Sequence, residues 1–177
     1  MATLTLYLVR HPRPLIAAGV CYGQLDVEAE NPLPIAERLR QELPPGLPVW
    51  SSPLQRCRHL AEALHPAPVL DSRLMELNFG QWEGRPWDSV PRAELDAWAA
   101  DVDGYAPPGG ESPKALQARV ATFVDQLPVG NCVLVTHAGV IRTLLATASA
   151  ESLAVGLQRA APAYGSLTRL DYSLASR

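Results

Sequence analysis

Two histidines in the sequence each follow an apolar run typical of a buried strand. The run at positions 4–9 ends in Arg10 and His11, and the run at 131–135 leads through a threonine to His137. In open α/β sheets, ligands bind beyond the carboxyl ends of the strands, so two histidines placed there can converge on one ligand. His137 also precedes a predicted helix, whose free N–H groups and dipole favour an anion.

Arg10 decides how His11 is interpreted. A single histidine after a strand is often a hydrogen-bonded structural residue, and for His11 alone that alternative stays open. A buried guanidinium, however, is costly unless it meets an anion or a carboxylate. Arginine is also the side chain best shaped for bidentate contact with phosphate. An arginine–histidine pair at a strand end therefore indicates a phosphate site.

Two further residues could complete such a site. Arg56 lies in a predicted helix after Ser52 and Pro53 and could bind the same anion, or it could be a solvated helix arginine. Glu76 lies in a loop rich in glycine and aromatic residues, and a carboxyl group in such surroundings can serve as a proton donor. A surface loop acid is an equal alternative for Glu76. The four histidines have no spacing typical of metal ligands on one helix, so no metal or other cofactor is predicted.

The elements that must position these residues alternate along the chain. This alternation predicts an α/β fold: a single three-layer domain with a mainly parallel central sheet flanked by helices. Ser-Pro pairs at 52–53 and 112–113 mark two helix starts, as an N-cap followed by proline. Helices are predicted over 34–43, from 52–53 to about 64, and over 88–100, 112–127 and 140–148, with further strands over 48–51, 69–70 and 166–172.

Composition narrows the class of protein. The 177 residues suit one domain over 1–177, and the net charge of −3 with only one lysine argues against non-specific nucleic-acid binding. Three widely spaced cysteines without a CxxC pair predict neither a disulfide framework nor a thiolate zinc site, and they fit a reducing cytoplasm. No apolar run approaches the ~20 residues of a membrane helix, and the N-terminus lacks the basic region of a signal peptide.

Five segments, in order, carry a resemblance to a known family. They read LVRHPRP, SSPLQRCRHLA, LMELNFGQWEG, GGESPKALQARV and VLVTHAGVIR, and they cover roughly residues 4–142. Each is weak alone, but together they resemble the histidine phosphatase superfamily, also called phosphoglycerate mutase-like. The resemblance implies the fold of that superfamily and metal-independent transfer of a phosphoryl group through a phosphohistidine.

The resemblance also implies roles for the candidate residues. His11 matches the histidine that becomes phosphorylated, and Arg10 and Arg56 match the phosphate-binding arginines. His137 matches a second pocket histidine, expected to be protonated where it stabilises the transferring phosphoryl group. Glu76 matches the acid that protonates the leaving oxygen. A further family block, Glu111-Ser112 with Arg119, is expected to give structural support.

The chain departs from the usual family pattern after the nucleophile. Members usually read Arg-His-Gly, whereas here Pro12 follows His11 and removes a backbone N–H that could face the phosphate. We expect this to change the detail of the loop and not the nucleophile. Arg13 either compensates or is solvated.

The loop Cys21-Tyr22-Gly23-Gln24-Leu25-Asp26 bears on the substrate. With the proline-bearing start, SSPLQRC and FGQWEG, it is similar to the α-ribazole-5′-phosphate phosphatases of cobalamin synthesis. Tyr22 and Gly23 are the candidate substrate contacts, and a tight glycine turn with a packed tyrosine is the alternative. Trp82 and Trp87 could stack on an aromatic base, although packing in the core or at its rim is the stronger expectation.

The expected substrate is thus a small-molecule phosphate ester. Because mutases of the superfamily are usually longer, the short chain favours a phosphatase over a phosphoglycerate mutase. A broad-specificity phosphatase and a non-catalytic module that binds phosphorylated ligands are further alternatives. The intact residue set argues against the binding module.

The residues of strand 166–172 alternate between apolar and polar, as in a half-exposed edge strand. Such an edge could pair two copies of the chain into a homodimer.

Overall fold

The computed structural model describes residues 3–173 of the chain. Its central sheet has five strands: β1 (Thr3–Arg10), β2 (Val49–Ser51), β3 (Val69–Leu70), β4 (Asn131–Thr136) and β5 (Leu167–Ser173). The order across the sheet is β3-β2-β4-β1-β5, and every neighbouring pair is parallel except β1 with β5. The predicted mainly parallel sheet is therefore confirmed, with one antiparallel strand at its edge.

Six helices of the described residues complete the fold. They are α1 (Leu33–Glu42), α2 (Gln55–Leu64), α3 (Arg92–Ala100), α4 (Pro113–Gln126), α5 (Ala138–Ala148) and α6 (Leu153–Gln158). Three single-turn 3₁₀ helices, Ser72–Leu74, Gly80–Trp82 and Trp87–Ser89, lie between β3 and α3. No helix within 3–173 is both long enough and apolar enough to cross a lipid bilayer.

The strand alternation produces two separate cores. Leu4, Leu6 and Leu8 of β1 pack with α4 and α5, whereas Tyr7 and Val9 face the opposite core with α1 and α2. Because successive strand residues point to opposite faces, a strand buried on both faces reads as a continuous apolar run. This arrangement confirms the predicted three layers, with the sheet between two pairs of helices.

Two predicted helix starts are wrong. The Ser52-Pro53 signal predicts the start of α2 two residues too early, since α2 begins at Gln55. The Ser52 N–H still donates a hydrogen bond to the Val135 carbonyl oxygen of β4, so Ser52 continues the sheet pairing. The predicted helix from 88 begins at Arg92 instead. Residues before proline avoid helical geometry, and Val90, which precedes Pro91, is extended.

The prediction is closest for α1 and α4, which begin within one residue of the expected positions. Ser112 caps α4 by accepting a hydrogen bond from the Ala115 N–H at 3.2 Å, as predicted. α5 begins at Ala138, two residues before the expected start. Sequence reasoning missed α6, although Ser152 caps it in the same way, through the Val155 N–H.

Candidate active site

The two strand-end histidines meet as the sequence predicts. Because β1 and β4 are parallel neighbours with Arg10 opposite Thr136, the residues that follow them emerge at the same edge of the sheet. The ring centroids of His11 and His137 lie 5.1 Å apart, with the ring planes inclined by 59°. Both side chains are buried. We refer to these two histidines together with Arg10 and Arg56 as the strand-end cluster.

His11 is held as a neutral imidazole with one free nitrogen. Its Nδ1 lies 2.6 Å from the Pro12 carbonyl oxygen, an acceptor, so Nδ1 carries the proton and Nε2 keeps its lone pair. Burial, followed by the nearby Arg56 charge, lowers the pKa of His11 from 6.5 to about 3, although the Pro12 contact opposes this shift. A neutral Nε2 at physiological pH is a competent nucleophile.

Pro12 therefore contributes to the site in spite of its missing N–H. Its carbonyl oxygen fixes the His11 tautomer, a task that any residue type could perform through its backbone. The Arg13 side chain is exposed: its Nε lies 3.8 Å from a Glu30 carboxylate oxygen, and its Cζ lies 5.9 Å from the centroid of the Tyr164 ring. Of the two alternatives for Arg13, the structure favours the solvated one.

The side-chain contacts of His137 are with neutral groups. Its Nε2 lies 2.8 Å from the Ser52 hydroxyl and 3.4 Å from the Cys57 sulfur. Burial lowers the pKa of His137 well below 6.5, and the proximity of His11 and Arg56 adds to this effect. His137 is therefore neutral in the ligand-free site, whereas the expectation of a protonated His137 concerns the site with a bound phosphoryl group and stays a prediction.

The two arginines of the cluster are anchored by backbone carbonyl groups. Arg10 donates from Nη1 to Pro162 at 2.6 Å, and Arg56 donates from Nη1 to Leu25 at 2.8 Å and from Nη2 to Gly23 at 2.5 Å. The buried Nε of each guanidinium has no hydrogen-bond partner. Neither belongs to an ion pair within residues 3–173.

Two charged donors without a carboxylate partner are costly to bury and suit an anionic ligand.

The space around position 23 explains why this residue is a glycine. A Cβ there would lie 2.4 Å from Glu83 and 2.6 Å from the Leu77 carbonyl oxygen. The tight-turn alternative for Gly23 is thus supported, while its carbonyl oxygen still serves the site through Arg56.

Glu76 lies against the first turn of α5. Its carboxylate accepts hydrogen bonds from the backbone N–H groups of Leu77 at 2.8 Å and Gly139 at 3.1 Å. Glu76 thus has two polar backbone partners in addition to the expected apolar and aromatic neighbours, since it lies in the wall of one cavity with Leu77 and Phe79. A Cβ at Gly139 would lie 2.1 Å from the Glu76 Oε1, so only glycine permits this approach.

The Glu111–Arg119 block supports the loop that carries Glu76. Arg119 binds both oxygens of Glu111 and donates to the carbonyl oxygens of Arg73 and Glu76, at 2.6 and 2.9 Å. Glu111 also accepts the Asn78 N–H at 3.1 Å. These contacts match the support predicted for this block.

A cavity of about 530 Å³ borders the cluster at Arg10, and we call it the apolar pocket. It shares Arg10, Tyr22, Gly23 and Glu76 with the surroundings of the cluster, and its remaining wall is mostly hydrophobic. Its aromatic and aliphatic lining includes Val20, Leu77, Phe79, Trp87, Trp98 and Leu157. Arg142 adds a second guanidinium to its wall.

The two tryptophans named by sequence have different positions. Trp87 lines the apolar pocket and stacks on Trp98 with centroids 6.0 Å apart. Trp82 is buried beneath them and donates from Nε1 to Glu94 at 2.5 Å. The expectation of packing in the core or at its rim is therefore confirmed for both: Trp82 is in the core, and Trp87 packs at the rim, where it also lines the pocket.

Sequence reasoning missed several residues of the site. Ser52 gave only a helix-cap signal, and Trp98 only a helical one. Tyr164 gave none, since it lies in a loop 153 residues after His11, yet its ring stacks on the Arg10 guanidinium at 3.9 Å. Gly139 could have been suspected, because it directly follows a strand and opens a helix near an anion site.

Taken together, the arrangement can transfer a phosphoryl group. A neutral imidazole nitrogen lies among two guanidinium groups and a second imidazole, with a carboxylate nearby. Phosphoryl transfer depends mostly on positioning and on stabilising charge on the equatorial oxygens, which these groups can provide. Within residues 3–173, no group of three or more histidine, cysteine or acidic side chains is arranged to hold a metal ion.

Comparisons with known proteins agree with this chemistry. The family model described as Histidine phosphatase superfamily (branch 1) matches residues 6–176. A Hydrogenobacter thermophilus protein that bears a phosphoserine phosphatase name is 29% identical over 155 residues, covering 79% of this chain and 76% of that protein. A Yersinia pestis protein named probable phosphoglycerate mutase GpmB is 31% identical over 166 residues, covering 81% and 74%.

A solved structure shows the same architecture. The crystal structure of TTHB049 from Thermus thermophilus superimposes with a TM-score of 0.76 at 35% identity, covering 95% of this chain and 94% of that one. A crystal structure of phosphoglycerate mutase from Thermus thermophilus superimposes with a TM-score of 0.76 at 31% identity, covering 97% of this chain and 99% of that one. These likenesses confirm the expected phosphoglycerate mutase-like fold.

Proposed function

The chain belongs to the histidine phosphatase superfamily, and from that premise we propose that it hydrolyses phosphate monoesters through a phosphohistidine on His11. The observation that carries the proposal is the free Nε2 of a neutral, buried His11 beside two guanidinium groups without carboxylate partners. The enzyme class is that of the family, the phosphoric monoester hydrolases.

In the first step, His11 Nε2 attacks phosphorus in line and the bond to the leaving oxygen breaks. Arg10 and Arg56 bind the equatorial oxygens, and Glu76, which enters this step as the neutral carboxylic acid, gives its proton to the departing alkoxide and becomes the carboxylate. The bound phosphate dianion also supplies the opposite charge that His137 lacks in the empty site, so its binding favours a protonated His137. His137 then stabilises the transition state as the sequence implied.

In the second step, water attacks the phosphohistidine. Glu76, now ionised, accepts a proton from this water as the N–P bond breaks, which restores neutral His11 and releases inorganic phosphate. None of the steps needs a metal. The test is turnover of p-nitrophenyl phosphate in the presence of excess chelator. We expect unchanged turnover, and a loss that added divalent metal restores would contradict the proposal.

We propose α-ribazole 5′-phosphate as the natural substrate. The apolar pocket adjoins the phosphate-binding groups, and stacked Trp87 and Trp98 in its wall offer faces to an apolar aromatic base. Tyr22, together with Gly23, borders both regions. A panel of phosphate esters tests this: α-ribazole 5′-phosphate should give a higher kcat/KM than phosphoserine, phosphoglycerate or glycerol phosphate. A preference for a small ester would refute the assignment.

A phosphoglycerate mutase is the second candidate, favoured by the name of the Yersinia pestis relative. A mutase of this kind must be primed on His11 by a bisphosphate. Incubation with 3-phosphoglycerate, with and without 2,3-bisphosphoglycerate, separates the two activities. We expect slow release of phosphate in both arms, and isomerisation without net phosphate release would establish the mutase instead.

We further propose that the chain is one domain over 1–177 that acts in the cytoplasm. Cys21, Cys57 and Cys132 are buried free thiols, as expected in a reducing compartment. The edge position of β5 suits pairing between two copies as a homodimer. Sedimentation at several protein concentrations tests the dimer.

A further inference from the structure

Each phosphate-binding arginine lies against a tyrosine ring. The Arg10 Cζ is 3.9 Å from the centroid of Tyr164, and the Arg56 Cζ is 5.3 Å from the centroid of Tyr22. Both distances are within the range in which an aromatic face attracts a guanidinium. The ring fixes the plane of the guanidinium and leaves its N–H edge for hydrogen bonds.

The loop that carries each tyrosine also holds the edge of the same arginine. Arg10 donates to Pro162, two residues before Tyr164. Arg56 donates to Gly23 and Leu25, which follow Tyr22. Each guanidinium is thus fixed on one face and one edge by a single loop, so a shift of that loop would shift its arginine.

The two loops meet through the tyrosine hydroxyl groups. The Tyr22 and Tyr164 phenolic oxygens lie 3.2 Å apart, although 142 residues separate them in the chain. Burial, together with this contact, raises the pKa of Tyr22 to about 12, so the pair shares a neutral O–H···O bond at physiological pH. The Tyr164 ring also lies 5.7 Å from the ring of His11.

We infer that Tyr164 is a positioning residue that, bonded to Tyr22, sets the separation of the Arg10 and Arg56 guanidinium groups on either side of the phosphoryl group. The inference rests on the proposed function and deepens it, since it assigns the geometry of the phosphate-binding groups to two loops outside the sheet. Tyr22 is still proposed as a substrate contact. In addition, it positions Arg56 through its ring and bonds to the Tyr164 hydroxyl.

The experiment measures binding of inorganic phosphate by calorimetry, together with kcat and KM for p-nitrophenyl phosphate. Tyr164→Leu removes both the ring over Arg10 and the hydroxyl bond, and should weaken phosphate binding about tenfold. Tyr164→Phe keeps the ring, so it should recover most of that loss and leave a decrease of about threefold. Tyr7→Phe, whose ring packs in the core formed with α1 and α2, is the matched control and should bind phosphate normally.

A double-mutant cycle isolates the bond between the hydroxyl groups. Tyr22→Phe and Tyr164→Phe should each weaken phosphate binding by a similar factor, and the double variant should be no weaker than either. Independent losses that multiply, or normal phosphate binding by Tyr164→Leu with an unchanged thermal unfolding midpoint, would overturn the inference. If Tyr164→Leu lowers the unfolding midpoint, its weaker phosphate binding reflects lost stability as well. The double-mutant cycle of Tyr22→Phe and Tyr164→Phe then tests the inference.

Failure of this inference and failure of the proposed function are distinguishable. If the chain binds phosphate, and Tyr164→Leu weakens that binding, but no ester is hydrolysed, the proposed function fails and the positioning role stands. If hydrolysis is intact and Tyr164→Leu binds phosphate as the wild type does, the positioning role alone fails.

Discussion

The strand-end cluster and the apolar pocket adjoin each other but are built in different ways. The cluster is polar, and the sheet places three of its four residues: Arg10 ends β1, and His11 and His137 follow the ends of β1 and β4, whereas Arg56 comes from α2. The apolar pocket is lined by loops and by four helices: α3, which has no fully buried residue, and the parts of α4, α5 and α6 that face it. The comparison teaches that the residues proposed for the chemistry come mostly from strand ends, whereas the pocket proposed to select the alcohol draws its wall from several helices and loops.

The largest expected effect is that of His11→Ala. Without the Nε2 nucleophile, kcat should fall by at least about 10⁴-fold. Because the cluster acts on the phosphoryl group alone, the loss should be the same for small and for bulky esters. Steady-state kinetics on glycerol phosphate and on an aryl phosphate check this.

His59→Ala is the matched control, since His59 is exposed on α2 and should be dispensable. If His11→Ala lost activity toward only one class of ester, the claim that the cluster acts on the phosphoryl group independently of the alcohol would be contradicted.

Gly139→Ala is expected to have the next largest effect. The added Cβ would lie 2.1 Å from the Glu76 Oε1, and the flexible carboxylate can move away, so the fold should persist while the proton donor is displaced. For an alkyl phosphate, kcat should fall about 10²-fold. For p-nitrophenyl phosphate, whose leaving group is stable as an anion, the loss should be much smaller.

Glu76→Gln provides the comparison for this variant. If Gly139 acts only through Glu76, the double variant should be no slower than Glu76→Gln alone. Multiplying losses, or equal losses for both esters, would show that Gly139 acts in some other way.

Sequence predicted the cluster better than the pocket for a physical reason. Strands buried on both faces read as apolar runs, and parallel neighbours bring their carboxyl ends together, so His11 and His137 could be expected to meet. Arg56 was also placed, although α2 begins two residues later than its cap signal suggests.

The parts that sequence could not predict depend on tertiary contacts between distant loops. Nothing in the sequence around Tyr164 indicates that its ring stacks on Arg10. Ser52 was interpreted only as a helix cap, and its contact with His137 depends on the tertiary structure. The neutral state of His137 follows from burial, which a strand-end position does not by itself reveal.

The buried histidines should also make stability depend on pH. The folded pKa of His11 is about 3, below its unfolded value of 6.5, so the unfolded chain binds the extra proton in acid. The free energy of unfolding is therefore highest above pH 6.5, falls as the pH decreases toward 3, and should lose about 2 kcal/mol by pH 5 through His11. Urea unfolding of the wild type and of His11→Asn measures this.

The pH dependence should be weaker in His11→Asn than in the wild type, and unchanged in His59→Asn. Because His11 does not line the apolar pocket, substitutions in that pocket should leave the pH dependence of the free energy of unfolding unchanged. An identical pH dependence in His11→Asn and the wild type would show that His11 is not held neutral by burial.

The smallest expected effect belongs to the apolar pocket. Trp98→Ala removes one of its two stacked rings, so KM for a bulky aryl phosphate should rise about fivefold. Glycerol phosphate is too small to need that ring and should be turned over with nearly unchanged KM. An equal rise in KM for both esters would mean that Trp98 supports the cluster and does not select the alcohol.

The most direct test of the central claim is to trap the phosphorylated intermediate. Rapid quenching during turnover of a labelled phosphate ester should leave label that is lost in acid and stable in base, and peptide mapping should place it on His11. His11→Ala should carry no label. Label that survives acid, or rapid turnover without any label on His11, would contradict the account.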